Sequence, residues 1–181
     1  MLNLFANEEE NKFSWEFIGD VVEGRKNLGE GMPVFAYRLL QYTIKDVISS
    51  RFGNETMIDI FRSAGDLAGK EFANHLLDLS LPFSEFIAQL QEVLESSRVG
   101  ILRVEKFDTQ TGEAIVTMGE DLDCSGLPIT GETVCNYAEG FLAGVLKAYT
   151  KKDYIVTEID CWATGARVCR FEAHIQNPNE G

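Results

Sequence analysis

The sequence predicts an α+β domain: an antiparallel β-sheet of about four strands with α-helices packed on it. Three observations carry that prediction. Apolar residues recur at helical spacing through much of the first hundred positions and at alternate positions in the segments just beyond them. The segments come in the order helices, hairpin, helix, hairpin, which suits an α+β chain better than a parallel α/β one. At 181 residues, 45% hydrophobic and 25% charged, the chain can bury one substantial core.

Taken in order, residues 1–12 are acidic and without periodicity, and a loose tail is expected there. Residues 13–33 carry short apolar runs cut by four glycines and read as extended pieces and turns ending at Pro33. Thus 1–33 is read as an N-terminal tail and extended segment. From Val34, FAYRLLQYTIKDVISSRFG sets Leu39, Leu40, Ile44, Val47 and Ile48 on one helical face, and Gly53 stops the helix. Asn54 can cap a second helix whose apolar face is Ile58, Phe61, Ala64, Leu67, Ala68 and Phe72. Gly65 and Gly69 each cost that helix about 1 kcal/mol relative to Ala. They are read as admitting a close neighbour, either a packed helix or a ligand.

Ser84 can cap a third helix, EFIAQLQEVLES. ILRVEKF and EAIVTMGE, separated by DTQTG, then read as a β-hairpin, and DLDCSGLPITGE as a loop. TVCNYAEGFLAGVLKAY is a fourth helix with a second glycine pair, Gly140 and Gly144. YIVTEIDCW and RVCRFEAHI form a second hairpin around residues 163–166, and residues 176–181 a C-terminal tail.

The four cysteines are the chemistry-bearing residues. A turn centred on Gly165 sets Cys161 and Cys169 opposite each other on neighbouring strands, where Cβ atoms lie about 4.5–5.5 Å apart. That spacing suits two thiolates on one metal ion better than an unstrained disulfide. Cys135 falls in the first turn of the fourth helix, where the helix dipole favours a thiolate. The fourth position is open between Cys124 and Glu158. In a regular strand Glu158, three residues before Cys161, points to the opposite face, so it can ligate only if the strand bulges. Spacing alone leaves a metal site and four buried free cysteines as alternatives.

The pattern Cys135, Gly140-Phe141, Gly144, Glu158, Cys161, Gly165, Cys169 and Phe171 resembles the carboxy-terminal part of the 4-vinyl reductase domain. The YRLLQYT helix and the AGDLAGKEF stretch are similar to that domain's helical front, so the resemblance spans residues 34–175. The family includes sensory modules of aromatic-responsive regulators. Its fold is similar to vesicle-tethering transport-particle subunits and, more distantly, to haem nitric-oxide sensors. The resemblance implies a structural zinc ion held by Cys135, Glu158, Cys161 and Cys169. It also implies a small hydrophobic or aromatic ligand and a homodimer formed through helices. Neither an AAA+ ATPase nor a helix-turn-helix is present, so the likeness is to the stand-alone hydrocarbon-binding type, acting through a separate signalling protein. Tyr137, Phe141 and Trp162, close in sequence to those ligands, are the candidate pocket residues, with ordinary core packing as their alternative.

Other classes are disfavoured. A formal net charge of −13 repels nucleic acid and anionic lipid. No apolar run of about 18 residues marks a membrane span, and the amino terminus lacks a signal-peptide pattern. A cytoplasmic protein is therefore expected. No nucleotide-binding glycine motif occurs, and His75 and His174, the only histidines, offer no catalytic arrangement and no evident haem ligand. No catalytic residue is assigned. A reductase acting on tetrapyrrole vinyl groups and a ligand-free interaction scaffold are the competing functions.

Overall fold

In the computed structural model, residues 13–108 and 110–176 are described; the tails expected at 1–12 and 177–181 lie outside them. Among the described residues the chain divides into two compact units between Pro33 and Val34. In the first, the stretch expected to be extended instead makes a 3-10 turn, Trp15–Ile18, and a single helical turn, α1, Val21–Gly24. The Asp20 carboxylate accepts the Glu23 N–H at 2.8 Å and so caps α1. Neither turn buries a residue.

The second unit contains α2 (Val34–Phe52), α3 (Asn54–Leu76), α4 (Phe83–Ser96), β1 (Ile101–Phe107), β2 (Ala114–Gly119), α5 (Asn136–Thr150), β3 (Tyr154–Asp160) and β4 (Cys169–Ile175). The four strands pair antiparallel in the order β1-β2-β4-β3, as the α+β reading requires. Apolar residues of α4 (Phe86, Leu90, Leu94), of α5 (Leu142, Val145) and of the strands (Leu102, Met118, Val156, Phe171) form one buried core. Two helix starts differ from expectation. Pro82 rather than Ser84 precedes the first residue of α4, and Cys135 occupies the N-cap of α5 rather than its first turn.

The glycine pairs decide how α3 and α5 meet. A Cβ added at Gly65 would lie 2.1 Å from the Tyr137 carbonyl oxygen, and one at Gly140 would lie 1.9 Å from that of Arg62. Gly69 and Gly144 meet Phe141 and Asp66 in the same way. Of the two readings of these glycines, helix packing is the one realised. The crossing holds the start of α5 against α3 and so fixes where Cys135 sits.

Helix α2 is turned opposite to expectation. Leu39 and Leu40 are 64% and 61% exposed, Ile44 and Val47 are also exposed, and the buried residues are Gln41 and Lys45. Polar bonds on the inner face explain the orientation. The Tyr37 hydroxyl donates to Asp123 Oδ1 (2.7 Å), Arg38 Nε to the Leu122 carbonyl (2.8 Å) and Lys45 Nζ to the Val134 carbonyl (2.5 Å). Burying the leucine stripe instead would strand those carbonyls without donors.

Candidate metal centre

Four separate pieces of backbone bring the cysteines together. Cys124 lies in the loop after β2, Cys135 caps α5, Cys161 follows β3 directly, and Cys169 is the first residue of β4. All four side chains are fully buried free thiols. Together with a Glu158 carboxylate oxygen, their sulfurs lie within 4.8 Å of one another.

Local sequence explains each placement. The β3–β4 register runs Glu158↔Phe171 and then Asp160↔Arg170, a one-residue irregularity at the end of β3. Continuing that register sets Cys161 opposite Cys169. The extra residue, Ile159, turns out to solvent at 46% exposure, while Glu158 and Cys161 are both buried. A bulge reverses the face parity of the strand. It thus removes the obstacle that a regular strand would have set against Glu158. Beyond Cys161, a short 3-10 turn ends at Gly165, whose φ of +101° favours glycine.

The geometry permits a test of fit to a zinc ion. Two thiolates at about 2.3 Å from a tetrahedral Zn²⁺ stand about 3.8 Å apart. Cys135 Sγ lies 3.9 Å from Cys161 Sγ and 3.8 Å from Cys169 Sγ. Glu158 Oε2 accepts the Cys135 N–H at 3.0 Å, and its buried Oε1 has no hydrogen-bond partner. A free carboxylate oxygen beside three thiols at this spacing matches the donor set zinc takes. Cys124 Sγ stands 3.0 Å from Cys169 Sγ, closer than a shared tetrahedral ion allows and longer than a disulfide. It is the group that fits least well.

Electrostatics follow from burial. Desolvation pushes the Glu158 carboxyl up to about 8, against the lowering effect of the Cys135 N–H. Contacts with Cys124, then with Cys161 and Cys169, together with burial, push the Cys135 thiol up; contacts with the other thiols, Cys124 first, pull Cys161 down. Without a cation the cluster therefore resists holding several negative charges, and a divalent ion inverts that preference. Glu139, buried on α5, braces the site. Its Oε1 accepts the Glu158 N–H (2.9 Å), and its Oε2 accepts Arg62 Nε–H (2.7 Å).

A cavity of about 210 Å³ adjoins the cluster, walled by Phe72, Val99, Met118, Leu142 and their neighbours. Tyr137 and Phe141 line it, whereas Trp162 is not among its lining residues: its Nε1 donates to the Leu127 carbonyl at 3.1 Å. Asp121 and Asp123 also line the cavity, and the sequence reading set such acid pairs aside as solvated loop. Both are buried. Asp121 Oδ1 accepts the N–H groups of Asp123 (2.8 Å) and Cys124 (3.1 Å) and lies 3.9 Å from Cys135 Sγ. Burial, then the neighbouring Asp123, pushes Asp121 up to about 7; burial also raises Asp123, opposed by the Tyr37 hydroxyl and Lys45. The available signal was Asp-Leu-Asp-Cys itself, two acids adjoining a buried cysteine.

Residues 114–175 match the family model of the 4-vinyl reductase domain, which bears out the resemblance in the part that holds Cys135, Glu158, Cys161 and Cys169. Two proteins of Methanocaldococcus jannaschii are similar in sequence. The uncharacterized protein MJ1642 is 28% identical over 152 residues, covering 83% of this chain and 82% of that one. The uncharacterized protein MJ0150 is 24% identical over 109 residues, covering 60% of this chain; the match spans 62% of its length. A solved vinyl-4-reductase family protein from Methanocaldococcus jannaschii superposes with a TM-score of 0.61 at 16% identity, over 91% of this chain and 98% of that one. The phenol-responsive sensory domain of the transcription activator PoxR, solved with phenol, gives 0.62 at 14% identity, over 80% and 75%. Trafficking protein particle complex subunit 3 from Naegleria fowleri, covalently bound to palmitic acid, gives 0.58 at 10% identity, over 80% and 98%. An H-NOX protein from S. oneidensis gives 0.50 at 15% identity, over 76% and 74%. At these identities the structural likeness is one of fold. It agrees with the fold relatives that the sequence implied.

Proposed function

We propose that this chain, whose residues 114–175 match the 4-vinyl reductase domain, is a zinc-containing module that binds a small hydrophobic or aromatic molecule and acts through a partner protein. Cys135, Glu158, Cys161 and Cys169 hold the ion. Four protein ligands leave no open position for water or substrate, so the zinc is structural and contributes to folding directly. Cysteines 135, 161 and 169 orient the ion, and Glu158 anchors the Cys135 amide with one oxygen while offering the other. Residues 34–175 form the functional domain, with 1–33 as an extension and 176–181 as a tail.

The observation that carries the reading is the shared loop. Residues 121–124 line the apolar cavity on one side and supply Asp121 and Cys124 to the surroundings of the cluster on the other. The outward leucine stripe of α2 and the exposed Ile60 and Leu67 of α3 support a homodimer through helices. Among the described residues no helix is long and apolar enough to cross a membrane, and we place the protein in the cytoplasm, where thiols remain reduced.

Native mass spectrometry of the protein purified from its own host tests all parts together. The expected spectrum shows a dimer with one zinc ion per chain and a retained small molecule. Protein that carries neither metal nor small molecule overturns the reading.

A further inference from the structure

The cavity beside the metal cluster has an unusual polar inventory. Its wall is apolar except for Tyr37, Tyr137, Asp121 and Asp123. The donors around Asp123 are already engaged. Tyr37 gives its hydroxyl proton to Asp123 Oδ1 at 2.7 Å, and Tyr42 gives its own to the Asp123 carbonyl at 3.1 Å. Asp121 Oδ1 accepts two backbone N–H groups. What remains is an acceptor: Asp123 Oδ2 has no hydrogen-bond partner, on a residue only 5% exposed. Gln41, facing the same region from α2, also leaves both side-chain atoms without hydrogen bonds. A buried carboxylate oxygen left without a donor is rare and costly, and a ligand that completes it gains what the empty site lacks.

Size narrows the ligand further. An apolar cavity of about 150 Å³ takes up benzene. About 210 Å³ therefore suits one ring with one or two small substituents.

We propose that Asp123 determines specificity in this cavity, selecting a single-ring, largely apolar molecule that carries an N–H or O–H donor for its Oδ2. This rests on the cavity being the small-molecule site. A site built to hydrogen-bond a substrate group discriminates strongly against the isostere that lacks it, because the protein's own polar atom is then buried unpaired. Asp123 adjoins Cys124 in sequence, so the anchor for the ligand is carried on the loop that reaches the metal cluster.

Four probes of similar size decide the matter: benzylamine, benzyl alcohol, toluene and benzaldehyde. They are titrated by calorimetry and ligand-observed NMR into the full-length, metal-replete protein. The donors, benzylamine or benzyl alcohol, are expected to bind about 10-fold or more tightly than toluene and benzaldehyde. Which donor binds better separates an ammonium ligand from a hydroxyl ligand, and either preference supports the proposal. The Asp123→Asn variant retains an oxygen for Tyr37 and replaces the free acceptor with an NH₂ donor. It is expected to abolish the preference and to favour benzaldehyde. Equal binding of all four probes to the wild type overturns the role of Asp123, with Gln41 or water then serving the oxygen, and leaves the cavity as a ligand site. Binding of none overturns both. If Asp123→Asn does not fold, the comparison among probes on the wild type decides alone.

Discussion

Glu139 holds the backbone of Glu158. One carboxylate oxygen accepts the Glu158 N–H at 2.9 Å and the other binds Arg62 Nε at 2.7 Å, so a residue of α5 spans from α3 to the bulged end of β3. The bulge that turns Glu158 inward is thus braced from outside the strand.

Removing that brace is expected to loosen the metal site without touching a ligand. Glu139→Ala leaves the buried Glu158 N–H unpaired, at about 1–3 kcal/mol. The Arg62 partner, 47% exposed, adds about 1 kcal/mol or less. Residues that orient ligands typically change metal affinity about 10–100-fold. Thermal melting together with zinc competition against a chelator of known affinity checks both effects.

The ligand set itself is separable by substitution. Cys161→Ser and Cys169→Ser are expected to lose metal and to lower the melting temperature together. Glu158→Gln should weaken zinc binding, whereas Cys124→Ser should leave stoichiometry unchanged, because its sulfur does not stand at tetrahedral spacing from Cys169. Metal analysis of the purified variants reads this directly. Full zinc in both Cys161→Ser and Cys169→Ser would remove the site.

A pH experiment isolates Glu158. Burial raises its carboxyl to about 8 from an ordinary 4.5, so the folded, metal-free protein holds this proton more tightly than the unfolded chain does. Its contribution to stability is fully present below about pH 4.5 and is lost as the pH climbs through 8. Measured after chelation, the stability of the wild type minus that of Glu158→Gln should fall over this range, by no more than about 1.4 kcal/mol per pH unit. Denaturant melts at pH 5, 6.5 and 8 provide the difference. A difference that rises with pH would contradict the assignment.

The helix crossing offers the sharpest stability prediction. Gly140→Ala would add a Cβ 1.9 Å from the Arg62 carbonyl oxygen, a backbone atom that cannot rotate aside. Overpacking of this kind costs about 1–3 kcal/mol and outweighs the roughly 1 kcal/mol gained in helix propensity. Gly53→Ala, where a Cβ would meet nothing within 4 Å, tests a different cost, since its φ of +89° is strained for alanine. Equilibrium unfolding separates the two: the helix crossing should also shift metal affinity, because it positions Cys135, and the α2–α3 turn should not.

Much of this was legible in the residues. The change of hydrophobic period located the helices and hairpins, and cysteine spacing brought Cys161 and Cys169 face to face. The inner face of α2 was not legible, because polar side chains there answer to carbonyls and carboxylates about eighty residues away. Periodicity registers only the apolar stripe, and here that stripe faces out. Asp121 and Asp123 escaped for a similar reason. In a chain this acidic, two loop carboxylates look like solvated charge until the fold closes over them. Trp162 was chosen by closeness in sequence to Cys161, yet its indole is directed to the Leu127 carbonyl instead.

The loop at residues 121–124 gives the molecule a thermodynamic property. One short stretch of backbone, tied together by Asp121 Oδ1, faces the cavity at Asp123 and the thiols at Cys124. An ion on one side and a small molecule on the other both act on the order of the same few peptide units. Whatever factor the ion applies to the small molecule's affinity, the small molecule must return to the ion's. In this protein, zinc status and ligand occupancy would then be two readings of one conformational equilibrium.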